Sequence, residues 1–262
     1  MAIASHKLGA RRELHPFVSY VRVTAAEPGS SFAPYLRLPD GQLELVLRID
    51  AQVGGLKVAG TRMRALEQPT LSSLGYVTVR FKPGGAYPFF GLPICALTDR
   101  LVPLELLWGA SVVELAERLC TAESPAARAV LVEQALLRRL TTQPFEPASA
   151  ASVRRAVRLL RGAAELPSVE TLARSVGASS RQLRRAFAEV VGVAPKQYLR
   201  VERFQRALRS ARRAPELGFG TIALAAGYFD QAHMSAEFQA LAARTPSALC
   251  PRSRPHDASH RL

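Results

Sequence analysis

The chain has 262 residues and a formal net charge of +14, which is long enough for two domains with proper cores. Nothing approaches ~18 consecutive apolar residues and the first residues lack an apolar run, which argues against a membrane span or a signal peptide and points to the cytoplasm. Three widely separated cysteines, Cys95, Cys120 and Cys250, make neither a disulfide framework nor a metal pattern.

Residues 1–13 are polar and read as loose. From His15 to about Pro93 the pattern is β-rich. Phe17–Val23 alternates, and Gln42–Ile49 sets Leu43, Leu45, Leu47 and Ile49 on one face. Short runs follow at 55–60 and 70–81. Turn signals separate them at Pro39-Asp40-Gly41, Gly54-Gly55 and Pro83-Gly84-Gly85. Such spacing predicts a small barrel or sandwich.

The period changes near Thr98, which is placed to cap a helix with Asp99 in its first turn. Two short helices broken around Gly109 are expected, then a third from Ser124 or Pro125 to about Leu140. The segment 141–151, with two prolines, reads as a linker. The expected organisation is a β-rich sensor or dimerisation domain over 1–140, the linker, an all-α domain over 152–251, and a disordered basic tail over 252–262. The fold class is α+β in the first domain and all-α in the second.

Charge follows the same division. Residues 1–140 hold 16 Lys/Arg against 12 Asp/Glu, and 141–262 hold 19 against 9, so the basic excess sits in the second half, as a polyanionic partner requires. That half contains an internal repeat. Leu172, Ala173 and Gly177 match Ile222, Ala223 and Gly227; with one extra residue in the second turn, Leu183, Phe187 and Pro195 match Met234, Phe238 and Pro246. Each unit reads as helix, glycine turn, helix. Gly177 can adopt the left-handed conformation that ends a helix, and Ser179 or Ser180 can cap the next. In that helix Leu183, Ala186, Phe187 and Val190 face inward while Arg181, Arg184 and Arg185 stay off the stripe, as major-groove reading requires. Between the units, about eighteen residues from Pro195 form a helix of about 27 Å. That length sets two recognition helices about one DNA turn, roughly 34 Å, apart.

SVETLARSVGASSRQLRRAFAEVVGVAPKQYL and TIALAAGYFDQAHMSAEF resemble the DNA-binding domain of AraC/XylS-type bacterial transcription regulators, with GYFDQ as the family's Gly-aromatic-x-Asp-Gln run. LPDGQLELVLRI, VRFKPGGAYPFFGLP and LTDRLVPLELLWG are similar to a small β-barrel sensor domain often joined to it. The resemblance implies a sequence-specific regulator that binds double-stranded promoter DNA and contacts RNA polymerase. By position it assigns Arg181, Gln182, Arg184 and Arg185 of the first unit, and Gln231 and His233 of the second, to DNA. Ala236 stands where the family commonly has a basic residue, and Ala243 stands opposite the first unit's Gly192. The second reading surface is therefore weakly charged, and the first unit is expected to carry most of the affinity.

The N-terminal domain is expected to bind a small effector, to form a homodimer, or both. Arg62, Arg80, Phe81 and Trp108 are the effector candidates, with core packing as the competing reading for the aromatics. The rival function is an enzyme with a barrel-type catalytic domain fused to the DNA-binding module. Of the five histidines only His6 and His15 fall in that half, and no metal or nucleophile constellation appears, so neither metal nor cofactor is expected.

Overall fold

The computed structural model describes residues 3–26, 31–32, 35–49, 55–68, 71–72, 75–142 and 146–251. The tail expected to be disordered lies outside these residues. The N-terminal domain contains β1 (Ile3–Leu8), β2 (Val18–Ala26), β3 (Ser31–Phe32), β4 (Tyr35–Arg37), β5 (Glu44–Ile49), β6 (Leu56–Ala59), β7 (Leu66–Gln68), β8 (Leu71–Ser72), β9 (Gly75–Phe81) and, after helix α1 (Tyr87–Phe90), β10 (Leu101–Pro103). Six strands make one antiparallel sheet in the order β1-β2-β9-β5-β6-β10, with β3-β8 and β4-β7 as two small ladders. The sheet is open and does not close into a barrel.

Alternation decides which face is covered. Val77, Val79 and Phe81 of β9 are buried while Tyr76, Thr78 and Arg80 are less so. Helices α2 (Glu105–Trp108), α3 (Ser111–Thr121) and α4 (Pro125–Thr142) complete this core, with Val132 and Leu136 of α4 fully buried in it.

Two local readings of the sequence need correction. Residues 3–8 are not loose: they pair with β2 in register Ile3 to Ala26, because the exposed edge of β2 offers a ladder that the polar side chains do not oppose. The stretch after Thr98 is not a helix. Asp99 takes φ 57, and Leu101–Pro103 pairs with β6. Pro103 disfavours helical backbone at Val102 and suits a sheet edge.

The C-terminal domain is all-helical: α5 (Ala150–Gly162), α6 (Val169–Ser175), α7 (Ser180–Val190), α8 (Pro195–Arg213), α9 (Phe219–Ala225), α10 (Gln231–Ala242) and α11 (Pro246–Leu249). It has two cores. One gathers α5, α6, α7 and the start of α8 around Phe187 and Tyr198. The other gathers the rest of α8 with α9 and α10 around Phe204 and Phe238, whose rings lie 4.6 Å apart.

The two α7-type helices end differently. After α7 the chain reverses through Gly192 at φ +97, where an added Cβ would lie 2.9 Å from Thr98 Oγ1. After α10, Ala243 is forced to φ 51. A left-handed non-glycine residue costs roughly 1–2 kcal/mol, part of which glycine returns to the greater freedom of the unfolded chain. Ala243→Gly should therefore stabilise the protein by about 0.5–1 kcal/mol, read as a raised denaturant midpoint with unchanged slope.

Candidate DNA-binding interface

The first recognition helix is α7. Ser179 starts it with a capping box: its Oγ accepts from Gln182 N–H at 3.2 Å, and Gln182 Oε1 accepts from Ser179 N–H at 2.8 Å. Leu183, Ala186, Phe187 and Val190 are buried, as the stripe predicts. Arg181, Gln182, Arg184 and Arg185 are all exposed on the opposite face. Gln182 thus has its side-chain carbonyl engaged at the helix start while the residue stays exposed.

The second recognition helix is α10, capped by Asp230, whose Oδ1 accepts from His233 N–H at 2.7 Å. Met234 and Phe238 are buried. Gln231, Ala232, His233 and Ala236 are exposed. His233 Nδ1 accepts from Phe229 N–H at 3.5 Å. The His233 ring meets Tyr228 edge-on at 5.4 Å. All six residues assigned to DNA from the sequence therefore lie exposed on the two recognition helices.

The spacer arginines are used differently. Arg200 Nε pairs with Glu237 of α10 at 2.5 Å, and Arg209 pairs with Glu202 at 3.0 Å. Arg206 donates to the carbonyls of Leu160 and Ala164 at the end of α5, and Arg203 stacks over Tyr228 at 5.6 Å. Arg200, Arg203 and Arg206 thus tie α10, the turn before it and the end of α5 to α8, while the Arg209–Glu202 pair lies within α8 itself. Of α7 and α10, only α7 carries exposed arginines; further exposed arginines lie on α5, at Arg155, Arg158 and Arg161.

Phe229 was not singled out by sequence. It stands 85 % exposed at the turn before α10. The signal was the extra residue in the second turn: Tyr228 takes the inward place that Ala178 holds in the first unit, so the inserted residue is Phe229.

The effector candidates scatter. Phe81 is fully buried against Phe89 and Phe90. Trp108 is in the same core, donating Nε1–H to Phe89 O at 2.8 Å. Arg80 is held by Asp40 and Glu44 and donates to Gln42 Oε1 at 3.1 Å. Arg62 stands apart from these three, in a cleft of about 580 Å3 between the domains. Arg62, Arg64 and Asp99 line it from one side, and Gln197, Arg200 and Ala240 from the other. Burial pushes the Arg62 pKa down from its ordinary value, an effect that Asp99 opposes and Arg37 adds to. Among the described residues no group of three His, Cys, Asp or Glu side chains is placed to hold a metal, and no helix is long and apolar enough to cross a membrane.

Comparison with known proteins gives matches to both halves. A family described as a helix-turn-helix domain matches residues 172–251, and one described as a domain of unknown function matches residues 6–103. No curated protein matches the chain. Among solved structures, ToxT from Vibrio cholerae with an unsaturated fatty acid bound is similar at 11% identity and TM-score 0.42, over 87% of this chain and 93% of that one. Another crystal form of ToxT from the same organism gives 11% identity and TM-score 0.42, over 94% and 96%.

The unequal faces set an unequal dependence. Arg184→Ala should cost about 1–3 kcal/mol of binding to a target duplex. His233→Ala should cost less on the same duplex by electrophoretic mobility shift, and an equal loss would refute the asymmetry.

Proposed function

We infer that the chain is a transcription regulator whose residues 172–251, matched by the helix-turn-helix family, form an AraC-type DNA-binding domain. It reads double-stranded promoter DNA in the cytoplasm with both recognition helices, Arg181, Arg184 and Arg185 supplying most of the affinity. A small anionic effector controls it from the cleft between the domains. RNA polymerase and a second copy of the chain complete its set of partners. Exposed Leu101, Leu106 and Val113, on the sheet edge β10 and the helices after it, support the second-copy contact.

The observation that carries effector control is the ownership of the cleft walls. Gly192 and Gln197 belong to the turn and helix start that follow α7, Ala240 belongs to α10, and Arg62, Arg64 and Asp99 belong to the N-terminal domain. A ligand there touches residues of both helical units and of the N-terminal domain. Arg62 and Arg64 bring two positive charges against the single carboxylate of Asp99, whose Oδ1 already accepts from Met63 N–H at 2.9 Å. Arginine forks suit carboxylate or phosphate. A ligand that binds one domain arrangement better than another shifts the population toward it, and only by that difference in affinity.

Genome-wide footprinting of the full chain should give discrete sites, and their absence would overturn the regulator's specificity. Affinity should fall with salt at a log–log slope of about −0.9 per phosphate neutralised. A thermal-shift screen of carboxylates and phosphates on the full chain should find a stabilising compound, worth about 2.7 kcal/mol at a hundred times its Kd. Replacing Arg62 and Arg64 together with Ala should abolish that shift while leaving the ligand-free Tm in place.

A further inference from the structure

The two recognition helices present different chemistry, and the difference is of the kind that distinguishes base pairs. On α7 the outward side chains Arg181, Arg184 and Arg185 are forked cations. Arginine bonds guanine O6 and N7 in the major groove. On α10 and the turn before it the exposed residues include Phe229, Asp230, Gln231, Ala232, His233 and Ala236, and no Lys or Arg lies in that segment. Gln bonds adenine N6 and N7, and apolar side chains meet the thymine C5-methyl group.

Phe229 is the decisive residue. A phenylalanine ring left in water forgoes a large burial free energy, yet this one is 85 % exposed. It is not there for want of order. Its N–H is tied to His233 Nδ1, its neighbour Asp230 caps α10, and Tyr228 before it is 3 % exposed. The ring is held out on a fixed backbone, beside the first turn of a recognition helix, where side chains reach base edges.

We propose that the two readers divide the target by base type: α7 takes a guanine-containing block, and α10 takes an A·T block in which Phe229 packs on thymine methyl groups. This rests on the reading of the chain as a sequence-specific DNA binder, and adds which sequence each half prefers.

The test is selection of binding sites from random duplexes by the full chain, followed by replacement of thymine with uracil one position at a time. Two blocks about one helical turn apart are expected, one with guanines and one with A·T pairs. Removing the methyl group at one or two positions of the second block should weaken wild-type binding about 3- to 5-fold, the scale of one buried methyl group. Phe229→Ala should bind as weakly and lose the sensitivity to uracil, while Phe229→Leu keeps most of it. Circular dichroism and Tm show whether each variant is folded, and a solvent-exposed site makes both expected to be. Discrete sites whose second block has no thymine preference would overturn this division and leave the regulator standing. Unchanged DNA binding by Phe229→Ala would also overturn it and assign the ring to a protein partner. Failure to select any site would overturn both.

Discussion

Helix α8 is the constraint on which the molecule depends. Tyr198 and Leu199 near its start belong to the first helical core, and Phe204, Ala207, Leu208 and Ala211 further along belong to the second. One helix therefore serves two cores, and neither can rotate about it without unpacking the other. The polar side is committed in the same way. Glu202, nearly buried, receives Arg206 and Arg209, and Arg200 crosses to Glu237. Burial also pushes the Tyr198 hydroxyl up to about 12, so it stays neutral within the core. Nineteen residues of helix span about 28 Å, and the two units pack on its two ends.

The N-terminal domain grips the same helix. The turn at Pro39-Asp40-Gly41 lies on α8: Gln205 Nε2 donates to Pro39 O at 2.6 Å, and a Cβ at Gly41 would come within 2.6 Å of the Tyr198 ring. Arg80 fixes that turn through Asp40, and Glu44 joins Arg80 to Arg37. The charge at Arg80 thus braces a domain contact. Further along, Met63 packs on the first helical core and Ala65 on the second, with Ala65 N–H donating to Leu241 O at 2.7 Å. One strand-to-strand connection touches both reading units, so a change in the cleft beside it acts on both.

The helical half was largely legible in the sequence because its information is periodic and written twice. Spacings of three and four gave the buried stripes, glycine at the turn gave the boundaries, and the exposed arginines followed by subtraction. The N-terminal half was less legible. Strand β1 has few strongly apolar residues, and its pairing comes from the free edge of β2, a partner no local window contains. Leu101–Pro103 was hidden because a strand of three residues has no period to detect. The spacer arginines looked alike in sequence and part ways only when Glu237, the α5 carbonyls and Tyr228 come beside them. Exposure of Phe229 could be suspected only from an unequal turn length, and the cleft around Arg62 exists only because segments from 62–99 and 192–240 meet.

The first recognition helix ends in a manner that bears on how such chains evolve. Val191 O accepts from Thr61 Oγ1 at 2.7 Å and Gly192 O from Thr98 Oγ1 at 2.6 Å, so two carbonyls just past α7 are satisfied by hydroxyls of the other domain. A hydrogen bond of this sort contributes about 1 kcal/mol, and an orphaned buried acceptor costs more. Regulators that pair one reader with many sensors are usually pictured as beads exchanged on a string. Here the exchange carries a toll: a partner domain without two hydroxyls at these places would leave these carbonyls at the end of α7 unsatisfied. Exchanging either half would have to keep a hydroxyl donor opposite each of these two carbonyls.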